Sequence, residues 1–272
     1  AYKVAPKVFE ELGAEVTCIH RIPNGFNINL NCGALHTQDL QAAVLESKAD
    51  IGFAFDGDAD RIIIVDNLGK VIDGDQIIAL CAIDMKESGE LTNNGVCVTI
   101  MSNKGFDVAM QKAGISSIRT AVGDRYVVDE MKKRNFVLGG EQSGHIVFLE
   151  SSTTGDGIIA ALKILQIIIS KNKKISELVN VMTKFPQVTR NITTKKKIPL
   201  EKLPATEKVI RTFEAVLGDE GRVLFRYSGT ESILRVTVEG PDLKQLEKIV
   251  DEIEQQFRQE LNGFNSDKLI ES

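Results

Sequence analysis

Between Ile51 and Asp66 the chain reads IGFAFDGDADRIIIVD, two apolar runs separated by a short acidic segment. The runs Ile51–Phe55 and Ile62–Val65 carry no charge, and the second is rich in β-branched residues, the mark of a buried strand. Asp56, Asp58 and Asp60 stand at alternate positions, with Gly57 and Ala59 between them. Two strands bracketing so tight a loop converge three negative charges on one point. Carboxylates that close raise each other's pKa unless a cation sits among them. Their hard oxygens suit Mg²⁺, which takes a few protein carboxylates together with phosphate or water. Arg61 is then placed to meet an anion beside the metal. The competing reading is a solvated acidic turn, since Asp and Gly are common turn residues. An EF-hand is excluded: counted from Asp56, its required Gly and Glu positions hold Arg61 and Asn67.

At 272 residues the chain is long enough for about two domains and a sizeable core. Its net charge of −5 gives no global basic field to recruit nucleic acid. The lysine runs at Lys171–Lys174 and Lys195–Lys197 read as solvated faces. Cys18, Cys32, Cys81 and Cys97 are widely spaced, without a C-x-x-C, so reduced cytoplasmic thiols are expected. No uncharged span is long enough to cross a membrane. The opening AYKVAPKVFEELGAEV reads as a helix already in progress and carries no initiator Met, which suggests a processed or truncated product.

Periodicity predicts helices over 1–12, 39–47, 73–86, 104–112, 124–134 and 154–170, the last capped by Thr154 or Asp156. Asp124 reads as the N-cap of the helix it opens. Strands are expected over 15–20, 51–55, 62–65, 96–101, 117–120 and 136–138. This alternation argues for an α/β fold with largely parallel sheets. After Phe185-Pro186 the texture changes. A half-exposed strand over 188–197, a helix over 205–217, strands over 222–226 and 233–239 and a long amphipathic helix over 243–261 suggest an α+β domain. The predicted division is 1–72, 73–184 and 185–272: two mixed or parallel-sheet α/β domains, then a smaller α+β domain.

Three further stretches offer chemistry. GGEQSGH, Gly139 to His145, sets a carboxylate, an amide, a hydroxyl and an imidazole between glycines. Such a set can grip vicinal sugar hydroxyls, and His145 can move a proton near neutral pH; a satisfied structural loop explains the residues equally well. RYSGTESILR, Arg226 to Arg235, offers two guanidinium forks, the hydroxyls of Ser228 and Thr230, and backbone N–H groups bared at Gly229. Together these can nest a phosphate dianion, and the alternative is a serine-rich hairpin with surface arginines. Ser102-Asn103-Lys104-Gly105 follows a strand and opens a helix, where α/β folds bind ligands. There Lys104 can meet a phosphate or sugar oxygen, while capping alone accounts for Ser102 and Asn103. Val122 to Tyr126 holds the same position one unit later, and Arg125 suits either role.

DGDADR, GEQSGH and RYSGTES, in this order, resemble the α-D-phosphohexomutase superfamily, and the likeness runs from about Ala1 to Leu261. Gln142 in the second motif, with VGDRYV and NCGALH, is nearest to the branch that acts on glucosamine phosphates. The resemblance implies interconversion of glucosamine 6-phosphate and glucosamine 1-phosphate through a bisphosphorylated sugar, a step towards amino-sugar nucleotides and cell-wall precursors. It implies Mg²⁺ on Asp56, Asp58 and Asp60, and sugar hydroxyls on Glu141 and Ser143. Arg226, Ser228, Gly229 and Thr230 would hold the phosphate not being transferred, with Arg235 beside them. His145, Arg61 and Lys104 would stand at the transfer site. Family members carry four domains, the first with a phosphorylated serine in a T-A-S-H-N-P-like loop. No such loop occurs in these residues. The chain is therefore expected to be domains two to four, inactive alone, with the N-terminal domain as its partner. Mannose- or glucose-phosphate mutation and non-catalytic sugar-phosphate binding are the alternatives.

Overall fold

A computed structural model describes residues 1–194, 197–228 and 231–266, with side chains to residue 262. The chain divides into two compact units, Ala1–Thr183 and Lys184–Ser272.

The first unit opens with α1 (Val4–Glu11) and α2 (Gln38–Ser47). A three-stranded sheet follows, β1 (Ile51–Phe55), β2 (Ile62–Asp66) and β3 (Val71–Ile72), in the order β1-β2-β3. Both pairings are antiparallel, Phe55 opposite Ile62 and Ile64 opposite Ile72, so this sheet differs from the parallel arrangement that alternation suggested. The physical reason is the connection: six residues can turn a hairpin but cannot make a parallel crossover. Every residue of β2 is buried, because α2 and α6 (Gly157–Lys171) both pack on it.

From α3 (Gly74–Glu87) onward strand and helix alternate through β4 (Gly95–Thr99), α4 (Lys104–Lys112), β5 (Ser116–Thr120) and α5 (Asp124–Arg134). The unit ends with β6 (Leu138–Gly140), β7 (Ile146–Phe148), α6 and the short α7 (Ile175–Leu178). The second sheet runs β5-β4-β6-β7. β4 is parallel to β5 and β6, and β7 returns antiparallel. A core of Ile62, Ile64, Ile78, Phe106, Met110, Leu138 and Ile164 joins both sheets to their helices. A boundary at Asp73 falls between the two sheets, inside this one compact unit.

The second unit folds as β8 (Gln187–Thr193), α8 (Pro204–Leu217), β9 (Arg222–Tyr227), β10 (Ile233–Glu239) and α9 (Leu243–Ser266). Its antiparallel sheet has the order β8-β10-β9. Leu246, Ile249, Val250, Ile253 and Phe257 form the buried stripe of α9, spaced as one face of a helix. The whole is of mixed α/β class, as expected.

Two local expectations are corrected, and one choice left open by the sequence is resolved. Residues 15–20 form no strand, because no neighbouring strand among the described residues completes a ladder with them. Gly123, not Asp124, is the N-cap of α5; the Asp124 carboxylate instead accepts the N–H of Arg125 at 2.7 Å. Asp156 rather than Thr154 caps α6, accepting from the Ile158 and Ile159 N–H groups at 2.8 and 3.0 Å.

Candidate active site

The acidic hairpin loop is held from three directions. Within it, the Ala59 N–H donates to Asp56 O at 3.1 Å, and the Arg61 N–H donates to the Asp56 carboxylate at 3.2 Å. Ala59 is left-handed at φ 60, a conformation that costs a non-glycine residue about 1 kcal/mol. From outside, the Gly157 N–H at the start of α6 donates to Ala59 O at 2.9 Å, which fixes that residue. The Ile62 N–H donates to Gly144 O at 3.0 Å, and Arg61 bridges His145 antiparallel, so the loop's exit is tied to the GEQSGH segment. Gly155 closes the remaining side: a Cβ there would lie 2.6 Å from His145 Nε2 and 2.8 Å from Asp60 O.

This bracing gathers one oxygen from each of Asp56, Asp58 and Asp60 within 4.8 Å of one another. Asp58 is exposed; Asp56 and Asp60 are half-buried. Burial raises the pKa of Asp60, and the neighbouring carboxylates of Asp56 and Asp58 raise it further against the opposing pull of His145. Asp60 Oδ1 is buried without a hydrogen-bond partner among the described residues. Arg61 Nε is 3.9 Å from both Asp56 and Asp60, too far for a hydrogen bond to either carboxylate. Three hard oxygen donors, one of them buried and orphaned, fit a small divalent cation. His145 is 3% exposed, with Nε2 3.5 Å from Asp60 Oδ2 and a buried Nδ1 that makes no hydrogen bond. Its ring lies behind the carboxylates rather than out in solvent.

The other candidates of this unit stand at the ends of the parallel strands. Because β4 is parallel to β5 and β6, the turns at 100–103, 121–123 and 141–145 all leave the same end of the sheet, where α/β folds place ligands. Glu141 accepts the Gly123 N–H at 3.0 Å on one oxygen and the Ser143 hydroxyl at 3.1 Å on the other. Each oxygen keeps a lone pair for a ligand. Lys104 opens α4, half-buried, its Nζ 3.4 Å from Asp107.

In the second unit, Arg226 on β9 and Arg235 on β10 are direct cross-strand partners. The buried Ser228 donates its N–H to Ile233 O at 2.8 Å, and its Oγ accepts the Glu231 N–H at 3.2 Å. Arg235 is 3.3 Å from Glu231. Gly229 and Thr230 lie outside the described residues.

Sequence reasoning missed the bracing segment at Gly155–Gly157 and the acid Asp75, 0% exposed, which accepts the Asn103 N–H. Two glycines flanking a helix cap were the available signal for the first. Asp75 gave none, since a second acid in a helix's first turn is ordinary dipole chemistry.

Comparison with known proteins gives one answer. Residues 1–69, 73–185 and 187–256 match, in turn, the models of domain II, domain III and the C-terminal domain of phosphoglucomutase/phosphomannomutase. The phosphoglucosamine mutase of Geotalea daltonii is 50% identical over 263 residues, 97% of this chain and 58% of that protein. That of Citrifermentans bemidjiense is 51% identical over the same shares. The chain thus spans somewhat over half the length of the curated relatives it matches. Among solved structures, a phosphoglucomutase/phosphomannomutase family protein of Burkholderia thailandensis superposes with a TM-score of 0.75 at 21% identity, over 95% of this chain and 58% of that one. The N-acetylphosphoglucosamine mutase of Aspergillus fumigatus, solved with GlcNAc-6P and magnesium, gives 0.67 at 23% identity over 85% and 53%. With its three motifs on successive loops and its length matched by three consecutive domains, this chain belongs to the phosphoglucomutase/phosphomannomutase family.

Proposed function

We propose that the protein carrying this chain interconverts glucosamine 6-phosphate and glucosamine 1-phosphate, with Mg²⁺ held by Asp56, Asp58 and Asp60. The observation that carries this reading is the braced convergence of those carboxylates within 4.8 Å, one of them with an orphaned buried oxygen. The choice of hexosamine over hexose rests on relatives named phosphoglucosamine mutase at about half identity. When bound, Mg²⁺ supplies charge neutralisation on a phosphoryl group in transfer.

The chain's own residues bind and orient. Arg61 presents a guanidinium to the transferring phosphoryl oxygens from beside the metal ligands. Glu141 and Ser143, already joined to each other, take vicinal sugar hydroxyls as acceptor and donor. Lys104 meets a phosphate or sugar oxygen from the neighbouring strand end. His145, buried with Nε2 facing Asp60, stands beside the transfer site as its acid or base. Arg226, Ser228, Gly229, Thr230 and Arg235 grip the phosphate that stays behind. The phosphoryl donor is a phosphoserine outside these 272 residues, in the same cytoplasmic enzyme: a sugar hydroxyl attacks its phosphorus, and the freed serine oxygen then takes back the phosphoryl group from the other end of the bisphosphorylated sugar. No helix of the described residues is long and apolar enough to cross a membrane.

Calorimetric titration of this chain with Mg²⁺, then with glucosamine 6-phosphate, tests the reading. Asp58→Asn is expected to weaken Mg²⁺ binding by at least about ten-fold, or ~1.4 kcal/mol. Equal Mg²⁺ affinity in both proteins would defeat the metal assignment, and turnover of glucosamine 6-phosphate by the chain alone would defeat the placement of the phosphoserine outside it.

A further inference from the structure

Beside the GEQSGH loop, the first turn of α3 touches two of the loops that make the candidate site. Gly74 faces the first of them. Its N–H donates to Gln142 O at 3.0 Å, and a Cβ on it would lie 2.1 Å from Glu141 O and 2.8 Å from Gly144 N. No side chain can be accommodated there, so helix and loop meet backbone to backbone. The next residue, Asp75, faces the second loop. Its carboxylate is wholly buried; Oδ2 accepts the Asn103 N–H at 2.7 Å, and the Ser102 hydroxyl of the same turn also favours its charged form.

Arg119 on β5 grips the same turn from the other side. Its Nη1 donates to the carbonyls of Thr99, Ile100 and Ser102, and its Nη2 to that of Asn103. Asp107 in α4 holds the guanidinium in place, with Nη2 3.0 Å from Oδ2. The turn at 100–103 therefore has its carbonyls fixed by a cation and its Asn103 N–H fixed by an anion. Lys104 is the next residue, and its rise out of the turn is set by both. The acceptor that Asp75 offers is buried between the two loops, where water cannot replace it, so its loss leaves the Asn103 N–H unpaired.

We propose that Asp75 is a positioning residue for the sugar phosphate: with Gly74 it fixes the distance between the Glu141–Gly144 loop and the turn that bears Lys104, so that both hold one ligand. This rests on the reading that Glu141, Ser143 and Lys104 bind substrate. The acceptor on Asp75 is what matters, and its replacement by an isosteric amide acceptor preserves the spacing.

The test compares wild type, Asp75→Ala and Asp75→Asn in the 272-residue chain. Amide hydrogen exchange at Asn103 reports the turn, and calorimetry reports binding of glucosamine 6-phosphate and, separately, of Mg²⁺. Asp75→Ala is expected to speed Asn103 exchange and to weaken sugar-phosphate binding, each by about ten-fold, the effect of one lost charge-assisted hydrogen bond. Mg²⁺ affinity is expected to stay unchanged, which a general loosening of the unit would not allow. Asp75→Asn is expected to restore both losing quantities to within about three-fold of wild type. Fast Asn103 exchange with wild-type sugar-phosphate binding overturns the proposal, as does unchanged Asn103 protection, or equal loss of Mg²⁺ and sugar phosphate. If Asp75→Ala does not fold, Arg119→Gln frees the same turn from its opposite side and is held to the same outcomes. A wild-type chain that binds no hexosamine phosphate would sink the functional reading instead, and Asn103 exchange would still decide whether Asp75 holds the turn.

Discussion

Asp75 in the first unit and Glu239 in the second are both wholly buried carboxylates, and the fold treats them in opposite ways. Glu239 closes the end of β10 in a bidentate pair with Arg222, at 2.7 and 3.1 Å, and also receives Gln187 from β8. Its charge is matched where it stands, and the three strands of its sheet are tied together at one end. Asp75 has no cation in direct contact among the described residues, only the Asn103 N–H and the Ser102 hydroxyl, with another acid, Asp73, close by. Burial, then the Asp73 charge, push its pKa up to about 7, against the Asn103 N–H, the Ser102 hydroxyl and Arg119, which pull it down. The contrast separates a charge buried to secure a sheet from a charge buried to hold a loop. Sites for ligands commonly carry such uncompensated polar groups at a cost in stability.

The largest effect that could break this contrast belongs to Glu239. Glu239→Ala leaves Arg222, only 14% exposed at its side chain, without its carboxylate. The loss expected is about 3–5 kcal/mol in unfolding free energy. Urea denaturation followed by circular dichroism measures it; a loss below about 1 kcal/mol would mean that the pair is no better matched than a surface one.

Asp75 is expected to act in the opposite sense at neutral pH. A carboxyl whose folded pKa lies above its unfolded one binds its proton more tightly in the native state. Its contribution is therefore present in full below the unfolded pKa and is lost as pH rises through the folded pKa. Wild-type stability minus that of Asp75→Asn should fall by ~3–4 kcal/mol as pH rises from about 4 through about 7, and level off above. At about pH 8 the Asn variant should be the more stable protein. Parallel pH profiles for the two proteins would place Asp75 with Glu239, as a satisfied charge.

The smallest effect sharpens the assignment. Asp73 is the N-cap of α3 and shares a capping box with Gln76. Asp73→Ala should cost about 1 kcal/mol in unfolding free energy. Removing its charge should also lower the Asp75 pKa, which moves the pH window of the preceding experiment downward. An unmoved window would show that burial alone raises Asp75.

Much of this architecture is written locally. The bounds expected for β1, α4, α5 and β10 coincide with those observed, because each is a run of one periodicity closed by a cap, a glycine or a charge. β3 and β7 went unread, being only two and three residues long and existing through their partners β2 and β6. The segment 15–20 has strand composition and forms no strand, which is the same lesson from the other side. Of the candidate site, the residue types and their order were legible, since charges between apolar runs stand out in one dimension. Which loops brace one another was not. Nothing near Asp75 in sequence indicates that its acceptor is the backbone of Asn103, nor does anything near Ala59 point to Gly157.

That last contact has a consequence for how the protein comes into being. The Ala59 carbonyl waits for an N–H that the ribosome adds only when it reaches Gly157, and the loop's other anchor is Gly144. The β1–β2 hairpin can pair as soon as it emerges, but its acidic tip has nothing to hold Ala59 in its left-handed turn until most of the first unit has been made. During synthesis the three carboxylates therefore sit on a loop without its outside anchors, and they are held together only late, when α6 docks and the nascent unit closes.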